Sequence, residues 1–91
     1  MYLDYRVGFR TVSYPVVDDK YYNKVVGTLE ETQYGVVEAY YNDDGKIVFT
    51  SEEFQSPYGE TLEELKANFD NIQKAFELPV LDLDNIEYAK Y

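Results

Sequence analysis

The sequence predicts an α+β fold. The expected form is a small antiparallel sheet of three to four strands with one amphipathic helix packed on one face, in the order β-β-β-α, and a short docked C-terminal tail. Three observations predict it. Residues 3–12 alternate, with Leu3, Tyr5, Val7 and Phe9 on one side and Asp4, Arg6, Gly8 and Arg10 on the other. Residues 34–50 hold two extended runs around a turn sequence. Residues 62–77 repeat apolar side chains at helical spacing. A chain of 91 residues accommodates one such unit, so 1–91 is read as a single domain.

Period two with aromatic and β-branched residues marks the first strand as half-buried. Tyr14-Pro15 is expected to interrupt it, because proline donates nothing to a ladder. Residues 16–33 are ambiguous. Asp18-Asp19-Lys20 and Asn23 suggest turns, Tyr21-Tyr22 and Lys24-Val25-Val26 a short strand, and Gly27-Thr28 with Glu30-Glu31-Thr32 a loop. The next strand, 34–41, places Val37, Ala39 and Tyr41 on one face and Tyr34, Val36, Glu38 and Tyr40 on the other. Asn42-Asp43-Asp44-Gly45 tolerates positive φ, and Lys46-Ile47-Val48-Phe49-Thr50 resumes the extended pattern, which together predict a β-hairpin.

Ser56-Pro57-Tyr58-Gly59 closes the sheet region. Thr61-Leu62-Glu63-Glu64 fits a capping box, and Glu60, Glu63 and Glu64 suit the positive end of a helix dipole. Leu62, Leu65, Phe69, Ile72 and Phe76 form one stripe over about 62–77, expected to cover a sheet face, and Pro79 stops the helix. In the tail, Val80, Leu81, Leu83, Ile86 and Tyr88 predict docking, and Asp84 is a candidate cap for a last helical turn near Asn85.

Composition narrows the chemistry. There is no histidine and no cysteine, which removes imidazole and thiolate ligands, disulfides and the Ser-His-Asp and Cys-His nucleophiles. Adjacent acids such as Asp18-Asp19 and Glu30-Glu31 point to opposite faces of a strand, a poor start for a carboxylate pair. Asp43-Asp44-Gly45 and Asp82-Leu83-Asp84-Asn85 lack the rest of a twelve-residue calcium loop. No catalytic residue, metal or cofactor is therefore expected. No apolar run reaches the roughly 20 residues that span a bilayer. Met1 leads straight into Tyr2-Leu3-Asp4-Tyr5 without a signal-peptide pattern, so the expected location is cytoplasmic.

Charge points to a partner class. Eighteen acids against eight bases give a formal charge of −10. Residues 30–64 hold ten of those acids and a single base, Lys46. Such a segment concentrates negative potential that attracts a basic partner and repels nucleic acid. Eleven tyrosines exceed what a small core takes in, and tyrosine serves interfaces by offering area at little entropic cost. Acidic and aromatic side chains interleaved on one surface suit arginine-rich partners. The candidate partner-binding residues are Tyr34, Glu38, Tyr40, Asp43, Asp44, Glu52, Glu53, Tyr58, Glu60 and Glu63.

Several segments together resemble a family of small uncharacterised bacterial and phage-borne proteins. They are Tyr5-Arg6-Val7, Tyr34 to Tyr41, Asp44-Gly45-Lys46, Gly59 to Leu65 and Pro79-Val80-Leu81-Asp82. That resemblance supports the order of elements and implies no activity. Gly59 to Glu64 is also similar to the helix start of HicB-type antitoxins, although the Pro-Asp-Leu-Pro-Gly-type segment and the basic DNA-binding element of those proteins are absent. The expectation is a non-catalytic acidic interaction module that binds or inhibits a basic protein, with no direct nucleic-acid or membrane partner. The alternatives are a phage-type anti-defence or DNA-mimic decoy and a HicB-like antitoxin, with a small carboxylate-dependent hydrolase favoured least. An exposed strand edge also offers a route to a homodimer.

Overall fold

A computed structural model describes residues 2–18, 20 and 24–90. The elements are β1 (Tyr2–Asp18), β2 (Lys24–Tyr41), β3 (Ile47–Thr50), α1 (Leu62–Gln73), a 3-10 turn (Lys74–Glu77) and β4 (Leu81–Asp82). The fold is the expected small α+β type, with the sheet order β3-β2-β1-β4. The sheet is mixed and not wholly antiparallel, because β4 pairs parallel with β1 at Gly8 and Phe9. The fourth strand thus comes from the tail, not from residues 16–33.

The ambiguous segment is largely strand. β1 and β2 pair antiparallel from Tyr2↔Tyr41 out to Asp18↔Lys24, with one bulge at Val16/Val17. Pro15 sits inside β1 opposite Thr28 and interrupts nothing. Backbone geometry explains this. The Phe9 carbonyl accepts from Leu83 N–H and the Thr11 N–H donates to Asp84, so both residues turn their polar groups away from β2. Alternation by two gives Pro15 the same outward direction, and its nitrogen meets the free edge of the arm. The expected turns at Asp19 and Asn23 and the Tyr21-Tyr22 strand lie outside the described residues.

The β2–β3 hairpin forms as predicted. Asn42 Oδ1 accepts the N–H groups of Asp44 and Lys46, each at 3.0 Å. Gly45 turns the chain at φ 75°, a conformation that side chains disfavour.

The inner sheet is covered on both faces. One face, from odd residues of β1 and even residues of β2, holds Val7 and Val36 against Ile72 and Ala75, with Tyr5 alongside. The other holds buried Val37, Ala39 and Tyr41. Phe54 lies over Gly35, Leu83 lies over Gly8, and the Tyr88 hydroxyl meets Thr50 Oγ1 at 2.6 Å. Arg6 ties this face to the tail through the Tyr41 hydroxyl at 2.8 Å and the Pro79 carbonyl at 2.7 Å.

Helix α1 starts where its cap predicts. Thr61 Oγ1 accepts from Glu64 N–H at 3.1 Å, and the Glu64 carboxylate accepts from Glu60 N–H, one residue before the cap. The docking differs from expectation. Ile72 is the stripe member that is buried, Ala75 completes the contact, and Leu62 is 81% exposed with Leu65, Phe69 and Phe76 also exposed. The helical segment packs its apolar side chains on the sheet at its C-terminal end, through Ile72 and Ala75. Asp84 starts no helical turn either. Its carboxylate accepts from Thr11 N–H at 2.9 Å on the edge of β1, and residues 83–85 form a turn.

The outer halves of β1 and β2 project as an uncovered two-stranded arm. The chain measures 53 × 36 × 20 Å, with a radius of gyration of 17.5 Å. A compact chain of this length has a radius near ~12 Å.

Candidate interaction site

The β2–β3 hairpin reverses the chain, and that reversal sorts the candidate residues into three places. Asp43 and Asp44 occupy the β2–β3 turn. Glu52, Glu53, Tyr58, Glu60 and Glu63 follow β3 in a loop and helix start beyond the other end of that strand, the loop running beside residues 36–38 of β2. Six residue steps along the chain separate Lys46 from Glu52, a span of roughly 20 Å. Glu38 and Tyr40 lie between, on the helix-bearing face of β2, half-buried.

The loop after β3 is held by its backbone. Ser51 N–H donates to the Glu38 carbonyl at 2.9 Å, and Gln55 N–H donates to that of Val36 at 2.7 Å. Arg10 Nη1 donates to the Glu52 carbonyl at 2.6 Å, and Ser51 Oγ and Gln55 Nε2 both donate to the Glu53 carbonyl at 3.1 Å. Glu52 and Glu53 therefore fix the loop through their carbonyls while their side chains face solvent. Farther on, Tyr58 N–H donates to Asn68 Oδ1 at 3.0 Å, and Asn68 Nδ2 donates to the Tyr5 hydroxyl at 3.2 Å. These bonds join the loop, α1 and β1.

Tyr58 is 72% exposed and Tyr34 68% exposed, and Tyr34 keeps a tilted contact with Phe9 at 5.7 Å between ring centroids. Glu52, Glu53, Glu60 and Glu63 are exposed on the loop after β3 and the start of α1, with Tyr58 between them in sequence, whereas Tyr34 stands on the helix-bearing face of β2. Glu38 and Tyr40 serve each other instead: the Tyr40 hydroxyl donates to Glu38 Oε2 at 2.7 Å. Tyr40 also packs on Phe49, with ring centroids 5.3 Å apart.

The hydrogen bond to Glu38 raises the Tyr40 phenol above its ordinary value of 10.0, with burial and the Glu38 and Tyr5 charges adding to it. The phenol donates only while protonated, so its stabilisation is complete below pH 10.0 and is lost as pH rises through the raised value. In an alkaline titration followed by carbon NMR of labelled tyrosine rings, Tyr40 should ionise above pH 10.0. Glu38→Gln should bring it back toward 10.0. Ionisation of Tyr40 at or below pH 10.0 would show that the bond is not maintained.

Opposite the helix lies a feature that the candidate residues touch only at Glu52. Arg10, Thr11, Thr50, Glu52, Asp84 and Tyr88 are among the side chains lining an open hollow of about 450 Å³. Arg10 spans its wall, with its guanidinium carbon 4.1 Å from the centroid of Phe54 and its Nε buried without a partner. The strand alternation placed Arg10 on this face, but nothing in the sequence pattern announced that Phe54 would meet it. Among the described residues no group of three or more acidic side chains could hold a metal ion. No helix among them is long and apolar enough to cross a membrane.

Comparison with protein-family models, curated proteins and solved structures finds no match.

Proposed function

We propose that this protein is a non-catalytic interaction module that binds a basic, arginine-rich segment of a partner protein at the loop end of its sheet. The observation that carries this reading is the exposure of four glutamates, Glu52, Glu53, Glu60 and Glu63, along the loop after β3 and the start of α1, together with the exposed rings of Tyr34 and Tyr58. Guanidinium groups pair with carboxylates and stack on tyrosine faces, so these exposed side chains supply both modes. The backbone anchoring of the loop supports it further, because a preorganised site loses less entropy on binding. A duplex-mimicking decoy is less favoured, since it needs one continuous line of carboxylates and Asp43 and Asp44 stand roughly 20 Å from Glu52 along β3.

A fluorescent oligoarginine peptide, titrated at low and moderate salt, tests the reading. Binding should weaken as salt rises. The variant Glu52→Gln, Glu53→Gln, Glu60→Gln, Glu63→Gln should lose about tenfold or more in affinity, each exposed pair contributing a few tenths of a kcal/mol to about 1 kcal/mol. Tyr34→Ser with Tyr58→Ser should weaken binding while leaving its salt dependence intact. Asp43→Asn with Asp44→Asn should change it little. Equal losses from the two acidic groups would reduce the effect to net charge and sink the site.

A further inference from the structure

The projecting arm is an amphipathic ribbon without a cover. Tyr14 pairs with Leu29 and Val16 with Gly27, so Tyr14, Val16 and Leu29 share one face, and beyond the bulge Val17 faces Val25. All five apolar side chains are exposed, Leu29 by 59%. The opposite face in the same stretch carries Ser13, Pro15, Thr28 and Glu30, and Glu31 stands on the apolar face opposite Val12, toward the body. A two-stranded ribbon alone in water is marginal, and one with a single apolar face needs something to lie on.

The same chain leaves a second apolar surface open. Pro57, Leu62, Leu65, Lys66 and Phe69 line a groove of about 410 Å³ along α1, on the stripe that its own sheet does not reach. Arm and groove cannot meet within one chain, because the arm projects beyond the body while α1 docks by its far end.

We propose that a second copy of this chain covers both surfaces, the apolar face of each arm lying along the α1 groove of the other protomer about a two-fold axis. Area supports a second copy. The chain exposes 7098 Å², whereas a compact chain of 10.7 kDa exposes about 5,500 Å². Burying that surplus on two copies removes about 3,000 Å², within the range of obligate homodimers. Reach supports the exchange: the eight residues from Thr11 to Asp18 extend roughly 26 Å and the twelve residues of α1 about 18 Å, so one arm spans one helix. Charge permits it as well. Residues 14–29 hold two acids and two bases and are neutral in a chain of −10, so the arm is a part that approaches an acidic copy with little repulsion. The edges of the inner sheet are already engaged, β1 by β4 and β3 by the Ala89 N–H on the Ile47 carbonyl.

Size-exclusion chromatography with light scattering should give twice 10.7 kDa for the full chain at micromolar concentration. Val16→Glu with Leu29→Glu on the arm, and separately Leu65→Glu with Phe69→Glu on the helix, should each give a monomer with an unchanged circular dichroism spectrum. Thr28→Glu, on the polar face of the arm, should remain a dimer and controls for added charge. Mixing the arm variant with the helix variant should restore a dimer, since one intact arm then meets one intact groove. A monomeric full chain, a dimer that survives both variants, or a mixture that stays monomeric would each overturn the exchange. The oligoarginine titration reads the proposed basic-partner site independently, because none of these substitutions touches its residues.

Discussion

Ala75→Asp should destabilise the protein by about 4 kcal/mol or more, the largest effect of any single substitution considered. Ala75 is 0% exposed, and with Ile72 it makes the contact that holds the helical segment to Val7 and Val36. Those neighbours offer only hydrocarbon. A carboxylate there either stays unpaired in an apolar pocket or drags the 3-10 turn off the sheet and exposes Ile72. The same exchange at Ala67, exposed in the middle of α1, should lower stability by roughly 0.6 kcal/mol, the helix-propensity difference alone. Urea unfolding followed by circular dichroism measures both. Equal midpoints for the two variants would mean that the helical segment is not docked through Ala75.

Ala75 also shows where pattern reading stops. The stripe of Leu62, Leu65, Phe69, Ile72 and Phe76 located the helix, and Thr61 located its start, since both signals arise within a few residues of sequence. Neither says which part of a stripe meets the sheet. The position that fits closest is an alanine, whose small size lets backbone approach backbone and leaves no mark in a hydrophobic periodicity. The large side chains of the stripe other than Ile72 stay open, because the packed contact is made by Ile72 and Ala75.

The strands divide in the same way. Alternation assigned the faces of 34–41 correctly, because one face packs on the helix and the other under the tail, and each burial leaves a period of two. It failed along the arm, where no body lies beneath the ribbon. Ser13, Thr28, Glu30 and Thr32 on one face then resemble a loop, and Pro15 resembles a stop. The Pro15 nitrogen points to a free edge, so the rule that excludes proline from ladders does not bite. The acidic segment was legible as charge but not as place. Counting along residues 30–64 merges Asp43 and Asp44 with Glu52 and Glu53, while the β2–β3 turn sends them to opposite ends of β3.

Gly35→Ala should lower stability by roughly 2–4 kcal/mol and weaken oligoarginine binding without altering a single charge. A Cβ at Gly35 overlaps the ring of Phe54, which covers this position on the face opposite the helix. The glycine is therefore required by close approach. Moving the ring forfeits its burial, about 1.5–3 kcal/mol, and its contact with the Arg10 guanidinium, about 0.5–1 kcal/mol. Arg10 then loses the stacking partner that aims Nη1 at the Glu52 carbonyl, and the loop bearing Glu52 and Glu53 loses its anchor beside Gly35. A double-mutant cycle separates this chain of contacts from simple strand strain. Phe54→Ala removes the ring without a clash and should carry a similar penalty, and adding Gly35→Ala to it should then change little, because the space is already vacant. Fully additive losses would place the effect of Gly35→Ala in the β2 backbone. In that case the loop is held by its hydrogen bonds to Val36 and Glu38, and oligoarginine affinity should survive both substitutions.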